Sequence, residues 1–339
     1  LPVSSASGNG TDFITALFTA TTSLCVTGLV VVPTYAYWSI FGKVIILILI
    51  QLGGLGIISF TIGFLIIIGK KISLKERKMI QESYNLDSAQ GVLKILRKIF
   101  GITLKIEGIG AILYSIQFIP EYGIVKGICY SVFHSVSAFC NAGIDIIGND
   151  SLVKYHGNVL VNFTTVMLII CGGIGFIVWL DIGGIISEIR NKKLSPNKFI
   201  ERMKLHTKLV LITTAILVGG GFLFILLFEY NNPETLAYMD GGEKVLNSFF
   251  SAVTPRTAGF NSISTSGMTG AGKFLTMILM IIGGSPGSTA GGIKTTTVGV
   301  LILTVICVIK RREDTEVFSK KISKDLVYKA FTLFFIGSG

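Results

Sequence analysis

Charge is scarce in this chain. Only 14% of the 339 residues are Asp, Glu, Lys or Arg, while 50% are hydrophobic. A soluble chain of this length could build a large core, but it has no need of uninterrupted apolar runs. Residues 44–68 and 205–228 are such runs, and each reaches the roughly 20 residues that cross a hydrocarbon layer about 30 Å thick. The fold class that follows is an all-α polytopic membrane protein. Metal-binding and redox residues are equally sparse. The three histidines form no metal pattern, and the five cysteines (Cys25, Cys129, Cys140, Cys171, Cys307) are odd in number, widely spaced and without a CxxC pair. This excludes a zinc site and a disulfide framework and leaves the cysteines as small packing residues. His134 reads as packed or at a cavity edge. No nucleophile–base or metal constellation supports a membrane-embedded enzyme.

Acidic residues are the rarer sign, 19 against 30 basic, giving a net charge of +11. Such an excess raises the question of nucleic acid. Its distribution answers it. Eight of the basic residues lie in 70–98, seven in 190–208 and seven in 310–329, whereas 121–126 and 229–244 are neutral to acidic. That alternation is the positive-inside pattern, which places the three basic loops in the cytoplasm and makes lipid the expected surroundings. No nucleic-acid partner is expected.

Against that background one theme recurs. SLCVTGL, SAFCNAGI and TPRTAGF each end a short apolar segment with a glycine, and Gly28, Gly143 and Gly259 lie 115 and 116 residues apart. Each is followed by a glycine cluster: QLGGLG (Gly53, Gly54), ICGGIG (Gly172, Gly173) and IGGSPG (Gly283, Gly284). A fixed period of this kind governs the whole fold. The first unit has a short helix over 12–22, with Thr11 or Asp12 as N-cap, a polar loop, and an inward crossing over 44–68. A charged, amphipathic surface helix is expected over 73–98. The second unit crosses outward over 99–119 and stops at Pro120. It then has a short helix at 128–138, a loop, and an inward crossing over roughly 159–186. The third crosses outward over 205–228, has a short helix at 245–253 and the loop 254–259, and returns over 274–309. A further apolar segment starts at 326–336. The expected divisions are residues 1–95, 96–204 and 205–320 for three repeats and 321–339 for the start of a fourth. Two crossings per unit return the chain to the same side, so the repeats are parallel, unlike the inverted repeats of many secondary transporters.

Non-helical backbone at membrane depth survives only where protein buries it or it lines a wet cavity. The short helix before each loop aims its negative C-terminal end at the membrane centre, which favours a cation. The loop offers carbonyls that can replace the hydration shell of a monovalent ion, and its glycine permits the dihedrals that turn them to one axis. Ordinary extracellular turns would not be preceded each time by a helix too short to span. No carboxylate occurs in the loop cores, so a calcium-type acidic ring does not fit, whereas a potassium-like ion does. The expected filter residues are Cys25, Val26, Thr27 and Gly28; Cys140, Asn141, Ala142 and Gly143; and Thr257, Ala258 and Gly259.

The last crossing carries a second site. Gly283, Gly284, Ser285, Pro286, Gly287, Ser288, Thr289, Ala290, Gly291 and Gly292 hold five glycines and a proline in ten residues, which costs several kcal/mol of helix propensity. Unwound, this stretch can stand across a permeation path as a gate. Lys294 beside it is a costly intramembrane charge, either functional or snorkelling or paired with a carboxylate. A phosphate loop is excluded, because Gly292-Ile293-Lys294-Thr295 is one residue out of register with the required GK[ST] and no strand precedes it. Arg256 would repel a cation, so its guanidinium is expected to point away and brace the loop. Lys105 and Glu107 do not face each other on a helix, so Glu107 should pair elsewhere in the bundle. Asp181 reads as solvated.

FTATTSLCVTGL, HSVSAFCNAG and AVTPRTAGFNS, with QLGGLG and GSPGSTAGGIKTTT, resemble the Trk/Ktr/HKT potassium-transport superfamily, nearest its bacterial Ktr-type membrane subunit. The resemblance runs over essentially the whole chain. It implies four helix–pore-loop–helix units around one pore, in a bacterial plasma membrane. It also implies a homodimer and a cytosolic regulatory ring, on which ATP/ADP or NAD(H) would bind. Potassium would be the transported ion, with sodium the possible second. The family filter glycines fall on Gly28, Gly143 and Gly259, and its intramembrane gating loop on the stretch from Gly283 to Lys294. A helix before the first loop and a fourth unit are expected from residues outside this chain, since three quarters of a filter cannot close a ring. The competing reading is a secondary transporter that binds a small organic solute at the broken helix.

Overall fold

A computed structural model describes residues 1–56, 59–62, 68, 73, 76, 78, 79, 81, 91–148, 150–192, 194–311, 314, 316, 317 and 320–338. Among the described residues eleven helices of 12 residues or more carry the architecture: α1 Phe13–Cys25, α2 Ile40–Gly54, α3 Val92–Tyr122, α4 Ile124–Phe139, α5 Val159–Gly173, α6 Phe176–Arg190, α7 Leu205–Glu229, α8 Gly241–Val253, α9 Gly270–Ile281, α10 Thr295–Ile309 and α11 Lys324–Ser338. Among the described residues the only strands are the two-residue pair Glu316–Val317 and Lys320–Lys321. Of the described helices, α3 and α7 are each long and apolar enough to cross a membrane, and α5 with α6 passes the same test as a pair. Most of the surface helix expected over 73–98, and the end of the crossing expected over 44–68, lie outside the described residues. From Val92 onward that stretch belongs to α3.

The helices begin where local chemistry dictates. Asp12 accepts from the backbone N–H of Ile14 and Thr15 at the start of α1, Ser39 from Gly42, Asn158 from Val161 and Thr269 from Gly272. Each satisfies an orphan donor of a first turn. Helix α7 has no cap of its own. The Asp181 carboxylate supplies it from α6, accepting from Lys204 N at 3.0 Å and Thr207 Oγ1 at 2.6 Å. Asp181 is therefore a tertiary cap, not the freely solvated charge expected from its position. Pro120 also departs from expectation. It sits inside α3, which runs on to Tyr122 and is closed by Gly123 at φ 80°. There proline removes the bond its own N–H would have made to the carbonyl four residues back and crowds that carbonyl, and the helix runs only two residues further.

Helix α3 is sided in the manner of a lipid-facing span. Thr103, Glu107, Gly110, Tyr114 and Phe118 face inward at three- and four-residue spacing, while Leu104, Ile109, Ile112 and Ile116 are exposed. Thr103 and Glu107 are thus kept inside while these four aliphatics lie outside, which is the arrangement hydrocarbon favours. Around the short helix α4, Tyr114 stacks on Phe118 at 5.3 Å, and His134 meets both rings and Phe260 edge-on or tilted. His134 is fully buried, with Nδ1 donating to Tyr130 O at 2.8 Å, so it is packed.

The crossing expected to run continuously over 159–186 is broken. Helices α5 and α6 meet at 94°. The break falls at Gly172-Gly173-Ile174-Gly175, and Gly175 takes φ 92°, which a side chain disfavours. A comparable glycine interruption ends α2, where Gly56 has φ 80°. The third inward crossing is interrupted as expected, by residues 282–294 between α9 and α10.

Candidate functional site

The three glycine loops, over a hundred residues apart in sequence, meet in space. A Cβ placed on Gly28 would lie 2.7 Å from the Ala142 carbonyl oxygen and 3.6 Å from that of Ala258. One placed on Gly143 would fall on the Ala258 oxygen, and one on Gly259 would come within 3.7 Å of Gly143 Cα. The carbonyls of Ala142 and Ala258 thus face the glycine of a neighbouring loop. Each loop follows the C-terminal end of a short helix, α1, α4 or α8, whose dipole adds partial negative charge there.

The loops share a backbone pattern that the sequence period did not reveal. Val26, Asn141 and Thr257 adopt φ of 55°, 58° and 70°, and two residues later Gly28, Gly143 and Gly259 adopt 75°, 63° and 90°. Left-handed backbone at a β-branched residue is strained, and it persists only where the surroundings enforce it. The enforcing contact also repeats. A hydroxyl five or six residues before each glycine holds the backbone of the residue just after it: Leu29 N donates to Thr22 Oγ1 (3.1 Å), Ser137 Oγ donates to Ile144 O (2.6 Å), and Thr254 Oγ1 donates to Phe260 O (2.5 Å). Thr22 is further joined to Thr27 by a 2.6 Å hydroxyl pair. Aligning the three units on their glycines brings Thr22, Ser137 and Thr254 almost into register, so this clasp had a sequence signal.

The loop glycines open on one side into a vestibule of about 580 Å³, whose lining also includes Asp145, Asp150 and Asn261. Burial lifts the Asp145 carboxyl to about 6, only partly opposed by backbone N–H donors from Gly148, Ile147 and its own residue. Behind the second loop lies a polar knot. Gln51 Nε2 donates to Glu107 Oε2 at 3.2 Å, and Cys140 Sγ lies 3.7 Å from Gln51 Oε1 and 4.0 Å from Glu107 Oε1. Glu107 accordingly pairs within the bundle, with an amide and a thiol, and the Cys140 side chain turns away from the shared centre. The Cys25 thiol, at the end of α1, is exposed.

On the other side of the loops stands the segment 282–294. It is pinched at its base by Gly283 N to Ile293 O (3.1 Å), Gly284 N to Gly291 O (3.2 Å) and Thr295 N to Gly284 O (3.1 Å). A 2.8 Å contact between the Ser285 and Thr295 hydroxyls adds to the closure. Its outer part docks on the α5–α6 break: Ser285 N donates to Gly173 O, Thr289 N to Gly172 O, and Phe176 N to Gly287 O. Lys294 Nζ donates to Ala290 O at 2.9 Å, within the segment itself and not to a carboxylate. Arg256 is 5% exposed and its Nη2 lies 3.4 Å from Gly283 O, so it braces the third loop against the start of this segment. Pro286, Gly287, Ser288 and Gly292 complete the turn, with Gly287 and Gly292 at φ 64° and 69°. Among the described residues no group of three or more His, Cys, Asp or Glu side chains could hold a metal ion.

Known proteins resemble the chain in sequence and fold. The chain is 45% identical over 336 residues to the potassium/sodium uptake protein NtpJ of Enterococcus hirae, covering 99% of this chain and 71% of that protein. It is 39% identical over 322 residues to the Ktr system potassium uptake protein B of Bacillus subtilis, covering 95% and 69%. The crystal structure of the potassium transporter TrkH from Vibrio parahaemolyticus superposes with a TM-score of 0.68 at 18% identity. It covers 96% of this chain, which spans 63% of that one, so the likeness is one of fold. Residues 3–337 match the family described as TrkH, cation transport protein, and the chain belongs to that family.

Proposed function

We propose that the chain builds three walls of a four-walled pore for potassium uptake, with a fourth wall from residues outside it. The repeats are residues 1–95, 96–204 and 205–320, and 321–339 begin the fourth. The observation that carries this reading is the convergence of three loops with the same left-handed pair and with the Ala142 and Ala258 carbonyls turned to neighbouring glycines. Carbonyls so placed can stand in for the water around a weakly hydrated monovalent cation. The relatives' names, which specify potassium and in one case sodium, support the choice of ion. The basic loops 70–98, 190–208 and 310–329 face the cytoplasm, so the vestibule is external and the segment 283–294 stands below the filter as its gate. Inward movement gains about 2.3 kcal/mol per charge for each 100 mV of inside-negative potential. The working assembly is a homodimer in the bacterial plasma membrane, on a cytosolic ring that carries the regulatory nucleotide.

The test is rubidium uptake by the full-length protein, with G28S, G143S and G259S in parallel. Lower flux or altered potassium/sodium preference is expected in each. Unchanged rate and preference in all three would refute the filter. Deleting residues 285–291 should raise flux if the segment is the gate. A small-solute transporter, the competing reading, would retain solute-dependent flux in the absence of potassium and sodium.

A further inference from the structure

Beside the Arg256 brace on the third loop, the segment touches the second loop through one side chain, Thr289. The Thr289 hydroxyl, 8% exposed, donates to Phe139 O at 2.9 Å, the last carbonyl of α4. Thr289 Oγ1 also lies 3.2 Å from the Asn141 amide. In one orientation of that amide Nδ2 donates to Thr289 while the hydroxyl donates to Phe139 O; in the other Oδ1 takes the hydroxyl proton in place of Phe139 O, and Nδ2 reaches Ile169 O and Ala138 O. Asn141 is 1% exposed and is the left-handed residue of the second loop, at φ 58°. Unlike Val26, it has an amide to hold its conformation from outside its own backbone. The room is tight: a Cβ on Gly172 would fall on Phe139 O and lie 2.7 Å from Thr289 Oγ1.

We infer that Thr289 is a positioning residue for the filter: its hydroxyl holds the second filter wall in its ion-binding shape, so selectivity depends on where the gate stands. When the segment withdraws, Asn141 loses the Thr289 hydroxyl in either orientation, and Phe139 O loses it in the first. With only the Ser137 clasp left to hold it, the left-handed turn at Asn141 is freer to shift, carrying the Ala142 carbonyl out of line. A gate that only blocked the path would change how much passes; this one also changes what passes. The inference rests on the filter reading proposed above.

The measurement is rubidium and sodium flux through the full-length protein with T289V, T289A and T289S, each normalised to the amount in the membrane. T289V keeps the shape and removes the hydroxyl, so potassium/sodium preference should fall about fivefold to tenfold, as expected for one or two buried hydrogen bonds. T289S should restore it. T289A reads the same loss without branched bulk if T289V does not reach the membrane. Raised flux with unchanged preference would make Thr289 a latch of the gate alone and overturn the inference, as would no effect of either variant. G143S, measured alongside, separates the two failures. If G143S alters preference and T289V does not, only the inference falls; if neither does, the filter reading falls with it.

Discussion

The three loop glycines proposed as filter residues are not equivalent, and the structure ranks them. Replacing Gly143 by alanine has two costs. The backbone at φ 63° is left-handed, which disfavours a Cβ by roughly 1–2 kcal/mol. The new Cβ also lands on the Ala258 carbonyl oxygen and comes within 2.9 Å of Gly259 Cα. Neither neighbour is a flexible side chain, so relief requires a backbone shift, an overpacking cost of about 1–3 kcal/mol. Gly28 resembles it, with the Ala142 oxygen at 2.7 Å. Gly259 at φ 90° carries the backbone cost, but its Cβ meets nothing nearer than Gly143 Cα at 3.7 Å. The expected order of damage to rubidium uptake is therefore G143A at least as severe as G28A, and both more severe than G259A. The gap should be the overpacking cost alone, about 5- to 150-fold in the occupancy of the intact filter. Uptake would be measured in cells without other potassium uptake systems, with expression matched by immunoblot. If G259A proved as damaging as G143A, crowding between loops would not set the order, and the convergence of carbonyls would lose its functional meaning.

The vestibule makes a pH prediction. Asp145 titrates near 6 against an ordinary 3.8, so its charge is present around pH 7.5 and mostly lost around pH 5. Uptake at limiting potassium should weaken as external pH falls through about 6, and D145N should flatten that dependence; an unaltered profile would count against it. By the same shift the ionised form opposes folding, so Asp145 lowers stability as pH rises from 3.8 towards 6. Removing the Asp181 carboxylate leaves Lys204 N–H and the Thr207 hydroxyl without this acceptor. D181A should lower stability in detergent by about 0.5–2 kcal/mol, read as a drop in thermal midpoint. E107A strips the Gln51 amide of its acceptor and should cost about 1–3 kcal/mol. E107Q, which keeps an oxygen in place, should recover most of it in the same melt.

The period of the glycines was legible because it depends on residue type: the positions at φ 75°, 63° and 90° demand glycine and so declare themselves. The partner positions did not. Val26 and Thr257 are β-branched residues that ordinarily avoid left-handed backbone and Asn141 is an amide, so their side chains do not announce the shared conformation, which the clasp from Thr22, Ser137 and Thr254 holds. Helix lengths were readable to within a few residues where caps are local, as at Asp12. They failed where the deciding contact is distant. The 94° turn between α5 and α6 needs a partner for Phe176 N–H, and that partner is Gly287 O. Asp181 was misread for the same reason, since its acceptor role appears only once α6 and α7 lie side by side. The segment 283–294 was recognisable from its poor helix propensity, but its docking on the second unit was not.

That docking has a consequence for how the pore opens. With the segment in place, the free backbone groups of the α5–α6 break are satisfied by it: Phe176 N–H by Gly287 O, Gly173 O by Ser285 N–H, and Gly172 O by Thr289 N–H. Each would cost a few kcal/mol if left bare in an apolar surrounding. If the segment is the gate proposed above, its withdrawal has to admit solvent to the break as it proceeds, and the conducting state is the wetter of the two. A large osmolyte that cannot enter the cavity would draw water from it and hold the protein shut, so the rate of potassium accumulation would answer to water activity as well as to the ion.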